Sequence, residues 1–157
     1  MKVANICFLR RGDEVLLAMK KRGFGVDKWN GPGGKIQEGE TIEEATVREI
    51  KEEIDVDIDK KDLQKVAEIN FYFPDKEGWD MLVHVFFVES WKGEPTESEE
   101  MRPQWFPISE IPYDEMWLDD KYWLMDAIKG KKLKAKFYFK GEGKEMGKYE
   151  IKEVERF

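Results

Sequence analysis

The chain has 157 residues, 41% of them hydrophobic and 13% aromatic, which suits one domain (1–157) around a single core. A net charge of −7 argues against general nucleic-acid binding, which needs a basic face. One cysteine (Cys7) and one histidine (His84) exclude an internal disulfide and any zinc cluster rich in either residue.

Taken in order, Val3 to Leu9 and Glu14 to Met19 are apolar and joined by Arg10-Arg11-Gly12-Asp13, which predicts a hairpin. A basic, glycine-punctuated loop, Lys20 to Gly25, leads to Trp29-Asn30, and Gly31-Pro32-Gly33-Gly34 must form a tight turn. Thr41-Ile42-Glu43-Glu44 reads as a capping box, and Val47, Ile50 and Ile54 form the apolar stripe of the helix that follows. Asp55 stands where a glycine would end that helix in the left-handed region, a modest stability cost.

Leu63 to Phe73 and Met81 to Ser90 read as strands, broken by Pro74-Asp75-Lys76-Glu77-Gly78. Gly93 to Arg102 is expected to be a polar, acidic loop, followed by a short apolar stretch, Gln104 to Pro107. Asp119 to Ile128 predicts a second helix stopped by Gly130, and Leu133 to Phe139 with Lys148 to Val154 a terminal hairpin. Strands with two intervening helices, not a regular βαβ series, imply an α+β fold with a mixed sheet between the helices. No apolar run is long enough to span a membrane. With no signal peptide at Met1-Lys2-Val3, the expected location is cytoplasmic.

The chemistry concentrates between Gly34 and Val56. Glu49, Glu52 and Glu53 stand at i, i+3 and i+4, so on a helix their carboxylates share one face, turned away from the apolar stripe. Three like charges so close repel one another, and a hard divalent cation relieves the repulsion. A bare E-x-x-E-E is usually no more than a solvated face, but here Gly34, Glu40, Arg48 and the capping box fall in register with it. The glycine turn ahead of the helix can offer a carbonyl to metal and amides to phosphate.

That order, G-x5-E-x7-R-E-apolar-x-E-E, resembles the signature of the Nudix hydrolases, which cleave nucleoside diphosphates linked to another group. The resemblance implies an α/β/α sandwich. It also implies Mg²⁺, or Mn²⁺, held by Glu49, Glu52, Glu53, the carbonyl of Gly33 and the distant Glu100. Glu49 or Glu53 would be the general base, and Glu40 and Arg48 an orienting ion pair.

Met19 to Gly25, Trp29-Asn30-Gly31, Met101-Arg102-Pro103 with Trp105-Phe106, and Met116 to Asp120 with Tyr122-Trp123 are similar to one branch of that family. Its members hydrolyse oxidised purine nucleoside triphosphates such as 8-oxo-dGTP and 2-hydroxy-dATP to the monophosphate and pyrophosphate. The branch implies a base pocket of Asn30, Asp119 and Asp120, with Trp117 and Phe24 as flat walls. Gly33, Gly34, Lys35 and Lys20 would then face the sugar and phosphates. Asn5 replaces a small hydroxyl residue there and leaves that contact open. Read without the resemblance, Asp119-Asp120 equally suits an N-cap, and aromatics are most often core.

The expected partner is thus a small nucleoside triphosphate, with no nucleic acid and no membrane, acting on a monomer. Rival readings keep hydrolysis on dNTPs, ADP-ribose or dinucleoside polyphosphates, or reduce the chain to a non-catalytic nucleotide-binding module. An isopentenyl diphosphate isomerase would need a cysteine in the site, and Cys7 sits in a first strand. His84 and Cys7 are assigned to the sheet.

Overall fold

The structure, a computed structural model, describes residues 1–157. Eight strands form a mixed sheet: β1 (Lys2–Arg11), β2 (Glu14–Lys20), β3 (Trp29–Asn30), β4 (Gln64–Tyr72), β5 (Met81–Val88), β6 (Met101–Pro107), β7 (Lys132–Lys140) and β8 (Glu145–Val154). Their order is β3-β2-β1-β5-β4-β7-β8, with β6 laid on β2. Strands β1 and β5 run parallel, as do β4 and β7; β4–β5 and β7–β8 are antiparallel. Two helices, α1 (Ile42–Ile54) and α2 (Asp120–Ile128), cover opposite faces.

Alternation along β1 decides which helix goes where. Cys7 and Leu9 point one way and pack with Ile50 and Ile54 of α1 and with Phe86 and Val88. Phe8 and Ala4 point the other way, into a larger cluster that includes Trp123, Leu124 and Ala127 of α2. The same period of two on β7 buries Leu133, Ala135, Phe137 and Phe139 and exposes Lys132, Lys134 and Lys136. The buried Cys7 thiol is held protonated by its desolvation, so it is a core side chain and not a nucleophile.

Helix α1 begins at the expected capping box. The Glu44 amide donates to Thr41 Oγ1 at 3.1 Å, and the Thr41 amide donates to the Glu44 carboxylate at 2.9 Å. It ends at Asp55, whose φ of 57° and ψ of 44° are left-handed. The aspartate therefore does adopt the conformation a glycine would take there.

The first hairpin differs from expectation. Strands β1 and β2 pair only at the tip, through Arg10 with Val15 and Arg11 with Glu14. Below the tip the glycine turn enters between them. The Asn5 amide donates to the Gly34 carbonyl and the Cys7 amide to the Pro32 carbonyl, both at 2.8 Å, and the Ile36 amide donates to Val3 at 3.2 Å. Gly33 makes this possible, since a Cβ there would collide with the Asn5 carbonyl. Displaced from β1, β2 pairs over its whole length with β6. That strand starts at Met101, inside the stretch expected to be loop. Pro103 disguises it, but a proline is tolerated on an edge strand.

A candidate nucleotide pyrophosphohydrolase site

A cavity of about 500 Å³ opens on the α2 side of the sheet, within the range of small-molecule pockets. Most of its wall is apolar. Phe71 and Phe73 from the β4 end, Met81 and Val83 from β5, Phe139 from β7, and Trp79 all contribute. None of these was singled out in the sequence, although the two-residue period of β4, β5 and β7 places them on one face. Asn5, Lys20, Phe24, Asn30, Gly33, Gly34, Lys35, Trp117, Asp119 and Asp120 also line it, so residues from distant parts of the chain meet there. Strand β3 explains part of that meeting, because Ala18 pairs with Asn30 while Trp29 bridges to Met116.

The polar floor is the aspartate pair. Both carboxyls are buried, with Asp119 2% and Asp120 3% exposed. Asp119 makes no capping hydrogen bond to α2; its Oδ2 instead accepts from Trp123 Nε1 at 2.8 Å. Burial raises the Asp119 pKa to about 6, against the opposing pull of the Trp123 donor. Asp120 is pushed well above the usual carboxylate range by burial and by the neighbouring negative charge, and its Oδ2 has no protein partner. Near neutral pH the pair thus consists of an ionised acceptor beside a protonated donor. Asn30 Oδ1 accepts from the Gly31 amide at 2.8 Å, which leaves its NH₂ as a donor for a ligand. The Asn5 side chain is buried with neither polar atom partnered. Lys20 lines this cavity, and its charge acts on the Glu53 carboxylate outside it.

The glutamates of α1 do not line the cavity; the helix meets it through the glycine turn, whose Gly33 and Gly34 do. Glu53 accepts from the Gly33 amide at 3.2 Å and is hydrogen bonded to Glu49. Burial, with a further contribution from the Glu49 charge, pushes Glu53 up to about 8. Gly34 lies so close to the Glu49 carboxylate that a Cβ would stand 2.5 Å from Glu49 Cδ. Arg48 orders this end. It grips Glu40 through Nε at 2.7 Å and Nη2 at 3.0 Å, reaches Glu49 at 2.8 Å, and donates to the Lys35 carbonyl at 3.2 Å. Its hydrogen bonds hold Glu40 below the usual carboxylate range.

Not every acidic residue of the proposed metal set converges. Glu52 is exposed and leans on Arg48, 3.3 Å away. Glu100 is tied to Arg22 at 2.5 Å, and that contact lowers its pKa. No three acidic, histidine or cysteine side chains form a ready cluster. The Glu49–Glu53 pair nevertheless fits a divalent cation. Two carboxylates in contact and largely out of water hold together only with a proton or a cation between them.

The chain thus sets a carboxylate helix and a glycine turn beside an aromatic cavity with a buried acidic pair. The NUDIX domain model matches residues 1–127, and the chain belongs to the Nudix family of hydrolases. It is 46% identical over 143 residues to the oxidized purine nucleoside triphosphate hydrolase of Mus musculus, covering 91% of this chain and 89% of that one. With the enzyme of the same description from Danio rerio it shares 45% over 140 residues, covering 89% and 88%. Among solved structures, a Bacillus halodurans MutT protein superimposes with a TM-score of 0.82 over 96% of this chain and 97% of that one, at 24% identity. No helix is long and apolar enough to cross a membrane.

Proposed function

We propose that this chain hydrolyses oxidised purine nucleoside triphosphates, of the 8-oxo-dGTP and 2-hydroxy-dATP kind, to the monophosphate and pyrophosphate. The observation that carries this reading is the buried Asp119–Asp120 pair at the floor of an aromatic cavity of about 500 Å³. Oxidation exchanges donors and acceptors on the purine edge. A carboxyl pair sharing one proton can present a donor and an acceptor together, and can interchange them when the proton moves. The Asn30 amide adds a further donor, and Trp117 and Phe24 supply faces whose stacking is worth about 1–3 kcal/mol.

Glu49 and Glu53 are the proposed core of a site for Mg²⁺ or Mn²⁺, with the Gly33 carbonyl, and with Glu52 and Glu100 once they leave their arginines. A divalent cation held there would neutralise phosphate oxygens and lower the pKa of an attacking water. Glu53 or Glu49 accepts that water's proton, Lys20 faces the sugar and phosphate end, and the Gly34 and Lys35 backbone approaches the phosphates. Arg48 and Glu40 keep the turn against the helix. We place the action on free nucleotide by a monomer in the cytoplasm; the chain's charge of −7 suits a small anion delivered with metal better than a polyanion.

The test is kcat/KM for 8-oxo-dGTP, 2-hydroxy-dATP, dGTP and ADP-ribose with the products identified. The reading requires the oxidised nucleotides to exceed dGTP by at least about tenfold, roughly 1.4 kcal/mol of discrimination. Equal values for dGTP, or faster cleavage of ADP-ribose, would replace it with another nucleotide hydrolase.

A further inference from the structure

Trp117 supplies a wall of the base pocket, yet it stands on a loop and is only half buried. Its position must therefore be fixed by neighbours. Phe24 leans on it at 5.0 Å between centroids and 42°, and Phe139 meets it edge to face at 6.2 Å. Two glycines also lie against it, each where a side chain would crowd the ring. A Cβ on Gly25 would stand 3.4 Å from Trp117 Cζ2 and 3.5 Å from Nε1. One on Gly143, in the turn between β7 and β8, would run into Cζ3 while lying 3.3 Å from both Cε3 and Cη2. Equal distances to the two flanking atoms, with a much shorter one to Cζ3, are the pattern of a head-on approach in the plane of the ring. Gly143 thus abuts the outer edge of the indole, and Gly25 stands beside its nitrogen side.

We propose that Gly143 is a specificity-positioning residue. With Gly25 it holds Trp117 by opposite edges, which fixes the indole within its own plane and leaves a face for the purine. The inference rests on the reading of the cavity as a base pocket. It assigns a role in recognition to the terminal hairpin, which lies outside the residues matched by the NUDIX domain model, 1–127. A methyl group at Gly143 would drive the indole along its plane toward Gly25, displacing the stacking wall without touching the glutamate helix.

The turn supplies its own control. Gly141 has φ +60° and Gly143 φ +91°, so alanine is strained at both, but a Cβ on Gly141 meets nothing within 4 Å. Gly143→Ala and Gly141→Ala therefore both carry a backbone penalty, the larger at Gly143, whose φ lies beyond the left-handed helical region, and only Gly143→Ala meets Trp117. Two readouts are compared with the parent: steady-state kinetics on 8-oxo-dGTP and dGTP, and the Trp117 indole N–H resonance, assigned through Trp117→Phe. In Gly143→Ala the resonance should move and KM for 8-oxo-dGTP should rise about tenfold, with kcat within about twofold. Gly141→Ala should match the parent in both. The proposal is overturned if the two variants behave alike, or if the Gly143→Ala loss falls on kcat with KM unchanged. A parent enzyme without preference for 8-oxo-dGTP would refute the substrate reading alone, because the resonance reports the clamp whatever nucleotide is cleaved.

Discussion

At the scale of single residues, the buried carboxyls carry the sharpest expectations. Glu53→Gln keeps the size of the side chain and an acceptor for the Gly33 amide, but removes a base and a metal ligand. Turnover should fall by about 10²–10⁴-fold. The melting temperature should hold or rise above about pH 5, since glutamine fills the site without a buried carboxyl that must take up a proton on folding; a collapse in thermal unfolding would show Glu53 to be structural. Asp119 gives a pH-dependent case. Its pKa of about 6 in the folded chain lies above the ordinary carboxyl value near 4, so the folded state binds more protons between the two. The stability it contributes is complete below about pH 4 and is lost as pH rises through about 6. Asp119→Asn removes that loss while still accepting from Trp123. Its melting temperature should exceed the parent's at pH 8, with the gap closing toward pH 4. A gap independent of pH would show that the carboxyl is not strained by burial.

At the scale of elements, the caps of α1 can be tested apart from its chemistry. Thr41→Ala removes one arm of the capping box and should destabilise by about 0.5–2 kcal/mol in denaturant unfolding. Asp55→Gly relieves a left-handed non-glycine residue, whose conformation costs about 1–2 kcal/mol, though less for aspartate than for most. It also gives up an exposed contact with Lys51 at 2.9 Å, worth at most about 1 kcal/mol. The net effect should be a gain of up to about 1 kcal/mol with kcat/KM unchanged. Both predictions were open from sequence, because capping chemistry is local. The split of the first hairpin was not, because it depends on Gly33 meeting Asn5, residues 28 apart, and on β6 supplying β2 with a new partner. The Asp119-Asp120 pair shows the same divide. Two adjacent aspartates before a helix suit an N-cap, and only the cavity around them makes them a buried pair with one bound to Trp123.

At the scale of the whole molecule, the glycine turn joins two chemistries: Gly33 and Gly34 line the aromatic cavity and also meet Glu53 and Glu49 of α1. The glutamate helix leans on the β1–β5 side, and the aromatic pocket lies on the α2 face. Removing divalent metal with a chelator should abolish pyrophosphate release, and Mg²⁺ or Mn²⁺ should restore it. Metal should also raise the melting temperature of the nucleotide-free protein, by mass action on a site present only when Glu49 and Glu53 are folded together. No thermal shift with metal, in a protein that still hydrolyses, would place the cation with the nucleotide instead of the helix.

The sequence by itself determined the helix and its caps, most strands and the carboxylate spacing, because these follow from periodicities of two and 3.6 and from contacts within a few residues; the Nudix reaction class came from the motif's resemblance. Motif resemblance carried it further, to Asn30, Trp117 and the aspartate pair. Only the tertiary structure decided that Asp119 and Asp120 are buried together and that Phe71, Phe73, Trp79 and Phe139 wall the pocket. It alone showed that Glu52 and Glu100 pair with arginines and that Gly143 reaches Trp117. Those facts depend on burial and on contacts across the sheet, and neither is a local property of the chain.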